Sequence, residues 1–147
     1  MPFIERYTPK TLDREWGTET FIAETPHYLG KILKMRAGTQ GGLQYHVEKD
    51  ETFHLVSGQA IVEHELLAEA MELGCPKGEL ALTHITMAAG ESYHIPPGTV
   101  HRVTAVTDCL FVETSTPHYD DRVHVEHLYG LPETGGLPTT RSQLSRG

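Results

Sequence analysis

Short apolar-rich runs separated by turn residues make up most of this chain, and they predict strands at 21–23, 28–36, 42–47, 52–56, 59–65, 80–87, 92–95, 101–105 and 110–114. Breaks at Gly38, Ser57-Gly58, Ala89-Gly90, Pro96-Pro97-Gly98 and Thr107-Asp108 supply the turns. Many short strands at this spacing predict an all-β sandwich or barrel. One run, 62–73, is rich in Glu, Ala and Leu and reads either as a helix or as a long hairpin arm with its loop. The pattern divides the chain into an N-terminal arm over 1–18, a barrel over 19–130 and a Pro/Gly-rich tail over 131–147 that is flexible or contacts a partner.

Composition narrows the picture without choosing a function. A chain of 147 residues with 38% hydrophobic content can build one core but not two ordinary domains. Its formal charge of -8 argues against nucleic acid or an acidic membrane as a general partner, while leaving room for a local basic pocket. The two cysteines, Cys75 and Cys109, lie in unlike contexts and do not form a disulfide framework pattern. The start of the chain lacks an apolar signal core, and no apolar stretch reaches the roughly 20 residues a membrane span needs. These features read as a cytoplasmic, reduced protein.

The candidate chemistry sits in two blocks, Gly38 to Gly58 and Gly90 to His101. Gln44 and His46 are two apart, so on a strand both point to one face. Glu51 follows a turn-like Glu48-Lys49-Asp50, and His101 follows the Pro-Pro-Gly turn. Imidazole nitrogens with amide and carboxylate oxygens form a borderline-hard donor set, suited to one divalent ion, Zn first and then Mn, Fe, Co or Ni. Four protein ligands leave a position open for substrate, as in catalytic rather than structural sites.

The spacing of these residues resembles the two cupin motifs. Gly38, Gln44, His46, Glu51 and Gly58 fill the first, and Gly90, Pro96, Gly98 and His101 the second. Gln44 stands where the first motif usually has histidine, and Ala105 where the second often ends in asparagine. The resemblance implies a cupin double-stranded β-helix, a jelly-roll barrel, with Gln44, His46, Glu51 and His101 as metal ligands. Within that superfamily Leu43-Gln44-Tyr45-His46 is similar to a block of the phosphomannose isomerase cupins. Arg14-Glu15-Trp16-Gly17, Lys31, His101-Arg102 and the segment from Asp120 to Gly130 agree in register with it. Two departures accompany the match: His124 occupies the place of that family's late arginine, with Arg122 two residues earlier, and the 65–79 stretch is longer than a tight hairpin.

The resemblance implies a metal-dependent sugar or sugar-phosphate isomerase or epimerase, working as a homodimer on a small-molecule substrate. Such a reaction needs a proton mover, for which His124, Tyr93 and His94 are the candidates, with Glu51 hampered by metal binding. It also needs groups for hydroxyls or phosphate, for which Lys31, Arg102 and Arg122 are the candidates. Trp16 reads as a packing anchor, and Asp120 and Asp121 as a solvated turn. Two other classes compete: a cupin dioxygenase or polyketide cyclase-like enzyme, with an apolar pocket of Phe53, Phe111 and Leu55, and a non-enzymatic small-ligand-binding cupin.

Overall fold

A computed structural model describes residues 3–66, 82–119 and 121–132. The strands are β1 (Lys10–Arg14), β2 (Gly17–Glu24), β3 (Leu29–Met35), β4 (Gln44–His46), β5 (Glu51–Ser57), β6 (Gln59–Leu66), β7 (Thr83–Ala88), β8 (Ser92–Ile95), β9 (Thr99–Ala105), β10 (Cys109–Ser115) and β11 (Arg122–His124). A one-turn 3-10 helix, Glu126–Tyr129, follows. All strand pairs are antiparallel, and they build a six-stranded sheet in the order β1-β2-β3-β10-β5-β8 and a five-stranded sheet in the order β11-β4-β9-β6-β7. One apolar cluster draws on both sheets, with Leu33, Leu55 and Phe111 from the first and Val62, Met87 and Ala105 from the second, so the sheets face each other as a jelly roll. Among the described residues no helix is long and apolar enough to cross a membrane.

Side chains alternate across each strand, and the inward set changes character along its length. On β3 it runs from Met35 and Leu33 to Lys31, on β10 from Cys109 and Phe111 to Glu113, and on β5 from Leu55 and Phe53 to Glu51; all are buried. Register aligns these changes, because Met35 lies opposite Cys109, Leu33 opposite Phe111 and Lys31 opposite Glu113. The second sheet repeats the pattern, with Ala105, Val103 and His101 of β9 facing Ala60, Val62 and His64 of β6. The interior is therefore apolar at one end and charged at the other. A second cluster, Leu43, Leu82, Val100, Val125 and Tyr129, includes the neighbour of His101 and so lies on the opposite face of the five-stranded sheet, under the 3-10 helix.

Several boundaries differ from the sequence reading. Residues 10–14 and 17–18, assigned to the arm, form β1 and the start of β2, paired from Lys10 opposite Phe21 to Arg14 opposite Gly17. The Lys-Thr-Leu-Asp-Arg run carries little apolar signal because it is an exposed edge strand. β11 was also unpredicted, being three residues long. The 62–73 run continues β6 as far as Leu66, and its remainder lies outside the described residues, as does the tail beyond residue 132 and Cys75.

The motif glycines Gly38, Gly58, Gly90 and Gly98 all have positive φ. Gly58 is constrained twice over: at φ 99 a Cβ would also lie 2.3 Å from the Asp108 carbonyl oxygen, whereas at Gly38 a Cβ would meet nothing within 4 Å. Gly38→Ala should therefore cost only the left-handed backbone penalty, about 1–2 kcal/mol. Gly58→Ala adds a backbone clash and should cost roughly 2–4 kcal/mol. Urea unfolding of both variants checks the ranking, and equal losses would show that the clash at Gly58 relaxes freely.

Candidate metal centre

Three strands bring four donors to the charged end of the barrel. Gln44 and His46 occupy alternate positions of β4, Glu51 opens β5, and His101 of β9 lies directly opposite Gln44. His46 Nε2 and His101 Nε2 lie 3.3 Å and 3.2 Å from the same oxygen, Glu51 Oε1. His46, Glu51 and His101 are all buried, and their ligand atoms lie within 4.8 Å of one another. Gln44 Oε1 is buried with no hydrogen-bond partner. The amide that the first motif substitutes for histidine thus carries an unsatisfied lone pair beside the other three.

What lies behind the rings decides how they present themselves. His46 Nδ1 is 3.0 Å from Asp121 Oδ1, and His101 Nδ1 is 2.9 Å from the Thr99 carbonyl oxygen. Both neighbours can only accept, so each ring donates its Nδ1 hydrogen outward and turns an Nε2 lone pair toward Glu51. Two imidazole lone pairs and a carboxylate within 4.8 Å of one another, with a buried unpartnered amide oxygen from Gln44 in the same pocket lining, fit a divalent cation. Glu51 is held well below the usual carboxylate range: burial pushes it up, but the neighbouring Lys49 charge outweighs that. Asp121 is also held down, its burial outweighed by the backbone N–H groups of Glu48 and Lys49, which donate to Oδ2 over 2.9 Å and 2.8 Å. Gly98 N–H donates to the His46 carbonyl at 2.9 Å and ties β4 to the Pro-Pro-Gly turn.

From Glu51 a chain of ion pairs crosses the pocket wall. Lys49 Nζ lies 3.4 Å from Glu51 and 3.5 Å from Glu113, and Lys31 Nζ lies 3.3 Å from Glu113 and 3.0 Å from Glu19. Arg14 closes the series on Glu19 at 2.8 Å. Lys31 is pushed above the ordinary lysine range; its burial opposes the shift, and Glu113 and Glu19 overcome it. Glu19 falls from 4.5 to about 2, with Lys31 and Arg14 outweighing its burial. Apolar groups, Trp16, Phe21, Phe53 and Phe111 among them, line the same pocket.

The structure brings together some of the sequence-predicted residues and not others. Lys31 and Arg122 line the pocket, Arg122 lying opposite His46 across β11 and β4. Arg102 does not, because it follows His101 on β9 and faces the other way, where it is buried in a two-pronged pair with Glu63 at 2.9 Å for both contacts. Tyr93 donates to the Thr86 carbonyl at 3.4 Å, and the exposed His94 sits 2.6 Å from Asp50; neither lines the pocket. His124 shares the cross-strand row of Gln44 but sits 3.1 Å from Glu126 and does not line the pocket either. Leu55 is absent from the lining, while Trp16 is part of it. The sequence reading missed Glu19, Lys49 and Glu113, and it took Asp121 for a solvated turn when its carboxylate faces the His46 ring. Asp120 lies outside the described residues.

Three measurements follow from this geometry. His101→Ala and Glu51→Ala should each reduce metal content from about one ion per chain to a small fraction, and Asp121→Asn should weaken metal affinity by about 10–100-fold in chelator competition. Wild-type affinity in Asp121→Asn would remove that carboxylate from the centre. Glu19 stabilises the fold fully above its ordinary value of 4.5 and loses that contribution as pH falls toward about 2. At neutral pH this is worth on the order of 3 kcal/mol. Acid unfolding of Glu19→Gln should accordingly show a shallower loss of stability across that window than wild type.

No protein-family model matches the chain, and no curated protein matches it. Solved structures do match. The capsular polysaccharide assembling protein CapF from Staphylococcus aureus aligns with TM-score 0.67 and 18% identity over 82% of this chain and 33% of CapF, so this chain spans about a third of that protein. Streptomyces PAC13, solved with uridine, aligns with TM-score 0.63 and 16% identity over 84% of this chain and 92% of its own. A cupin superfamily protein from Desulfitobacterium hafniense aligns with TM-score 0.54 and 9% identity over 79% and 84%. With its two antiparallel sheets, its motif glycines at the turns and its interior His-Glu-His cluster, the chain has the fold of the cupin superfamily.

Proposed function

We infer that the protein is a metal-dependent isomerase or epimerase acting on a sugar or sugar derivative. The observation that carries this reading is the pairing of an open four-donor centre with a wall of alternating carboxylates and ammonium groups in one pocket. Carboxylates accept from hydroxyls and ammonium groups donate to them, so such a wall matches a polyhydroxylated molecule. The apolar ring face of an aromatic substrate, one of those the oxygenase or cyclase reading takes, would cover Glu19, Lys31 and Glu113 without giving them hydrogen bonds. Of the proteins that share the fold, one is named for capsular polysaccharide assembly and another was solved with uridine, and a polyhydroxylated substrate is in keeping with both names.

Gln44, His46, Glu51 and His101 would hold the ion, with Asp121 and the Thr99 carbonyl fixing the two rings. Zinc or manganese suits this donor set. Bound there, the ion supplies Lewis-acid polarisation of a substrate carbonyl. The proton that moves between adjacent carbons needs an acceptor that is neither a ligand nor committed to a ligand histidine. Glu113 meets both conditions, and Lys49, 3.5 Å from it, is the neighbouring group able to deliver a proton to oxygen. Trp16, Phe21 and Phe53 offer apolar faces to the C–H side of a sugar and limit water around it.

Elemental analysis of tag-free protein, followed by a turnover screen on free and phosphorylated pentoses and hexoses, tests the reading. We expect stoichiometric divalent metal and interconversion of at least one aldose–ketose or epimer pair. Glu113→Gln should lower kcat by about 100-fold or more with metal content unchanged. Stoichiometric metal without turnover of any sugar, or full activity in Glu113→Gln, would overturn it.

A further inference from the structure

We propose that the far end of the pocket, built by Glu19 and Lys31, binds hydroxyl groups of an uncharged polyol chain and is not a phosphate clamp. The proposal rests on the reading of this pocket as a sugar site and narrows its substrate class to unphosphorylated molecules. Charge accounting is the first argument. The lining carries three cations, Lys31, Lys49 and Arg122, against four carboxylates, Glu19, Glu51, Glu113 and Asp121. Counting the Arg14 that pairs with Glu19 brings the side chains to four against four, so the excess positive charge that a divalent ion would bring lies at the His-Glu-His end of the pocket and not at Glu19 and Lys31.

Local saturation is the second argument. Lys31 Nζ is already held between Glu19 at 3.0 Å and Glu113 at 3.3 Å. A phosphate carries about -1.5 to -2 charges at neutral pH, and at Lys31 it would meet an ammonium already shared by two buried carboxylates. Like charges at such distances in a water-poor site repel strongly. A hydroxyl brings no charge, donates to Glu19 or Glu113, and accepts from Lys31 without breaking the ladder.

Rigidity and shape supply the third. Lys31 lies opposite Phe21 on one side and Glu113 on the other, so three adjacent strands set the spacing of donor and acceptor, with the β2–β3 register shifting just beyond Phe21. Lys31 Nζ also stands 4.9 Å from the centre of the Phe21 ring, whose face, with Trp16 in the same lining, provides an apolar surface beside the polar edge. A polyol presents that combination of C–H face and hydroxyl edge.

The two chemistries respond oppositely to one substitution, which makes calorimetry on the metal-loaded full chain decisive. Sorbitol, a neutral hexitol with no carbonyl to react, and inorganic phosphate are the probes. Sorbitol should bind wild type with an affinity that does not change between low and high NaCl, and Glu19→Gln should weaken it about tenfold or more. Phosphate binding that Lys31→Met abolishes and Glu19→Gln strengthens would overturn the proposal, as would the absence of sorbitol binding to wild type. The wild-type measurements stand even where a variant fails to fold: salt-independent sorbitol binding that phosphate does not displace supports the proposal, and salt-sensitive phosphate binding that excludes sorbitol overturns it. Sorbitol binding without turnover of any sugar removes the isomerase reading and leaves this one standing; Lys31-dependent phosphate binding with turnover of sugar phosphates alone does the reverse.

Discussion

Five ionisable side chains, Glu19, Lys31, Lys49, Glu51 and Glu113, are buried inside a barrel wall, and the fold depends on each having an opposite charge on either side of it or a ligand histidine at its end. An isolated charge at such depth costs several kcal/mol or shifts to its neutral form. Here the cost is offset by alternation: carboxylate, ammonium, carboxylate, ammonium, carboxylate. The series is collective, because removing any inner member strands two neighbours. It also explains why Glu51 stays ionised at the end that faces the histidines. Lys49 holds the carboxylate in its charged form, and a charged carboxylate is the form a cation requires.

The apolar half of the interior makes this arrangement affordable. Strands β3, β5, β9 and β10 each change from apolar to polar inward residues at matched register, so the sheets are joined by hydrophobic packing at one end and by ionic and donor chemistry at the other. The apolar cluster shared by both sheets holds them together at its end of the barrel. The charged end can then remain open without loosening the barrel, and the donors of β4, β5 and β9 stay aimed at one point.

Motif spacing made the fold and three of the convergent residues, His46, Glu51 and His101, legible from the chain, because turn glycines and strand alternation are local properties. The same alternation argues against Arg102, since neighbours on a strand cannot both face one pocket. Lys49 looked like part of a solvated turn, and nothing in its immediate neighbours reveals that its side chain turns inward. Glu19, Lys31 and Glu113 become a unit only through the β2-β3-β10 pairing, in which partners are separated by up to about 80 residues of sequence and no local pattern marks the register. Asp121 was hidden for the same reason. Its three contacts all go to residues 46–49.

That clasp between Asp121 and the turn after β4 has a temporal side. All four donors of the centre lie at or before His101, yet the acceptor that orients His46 arrives some twenty residues later in synthesis. A chain growing from its N-terminus therefore carries every ligand before it can hold them in working orientation. Closure of β11 over β4 is the event that sets Asp121 against the His46 ring, so the orientation of that ring is completed late in the life of the nascent chain.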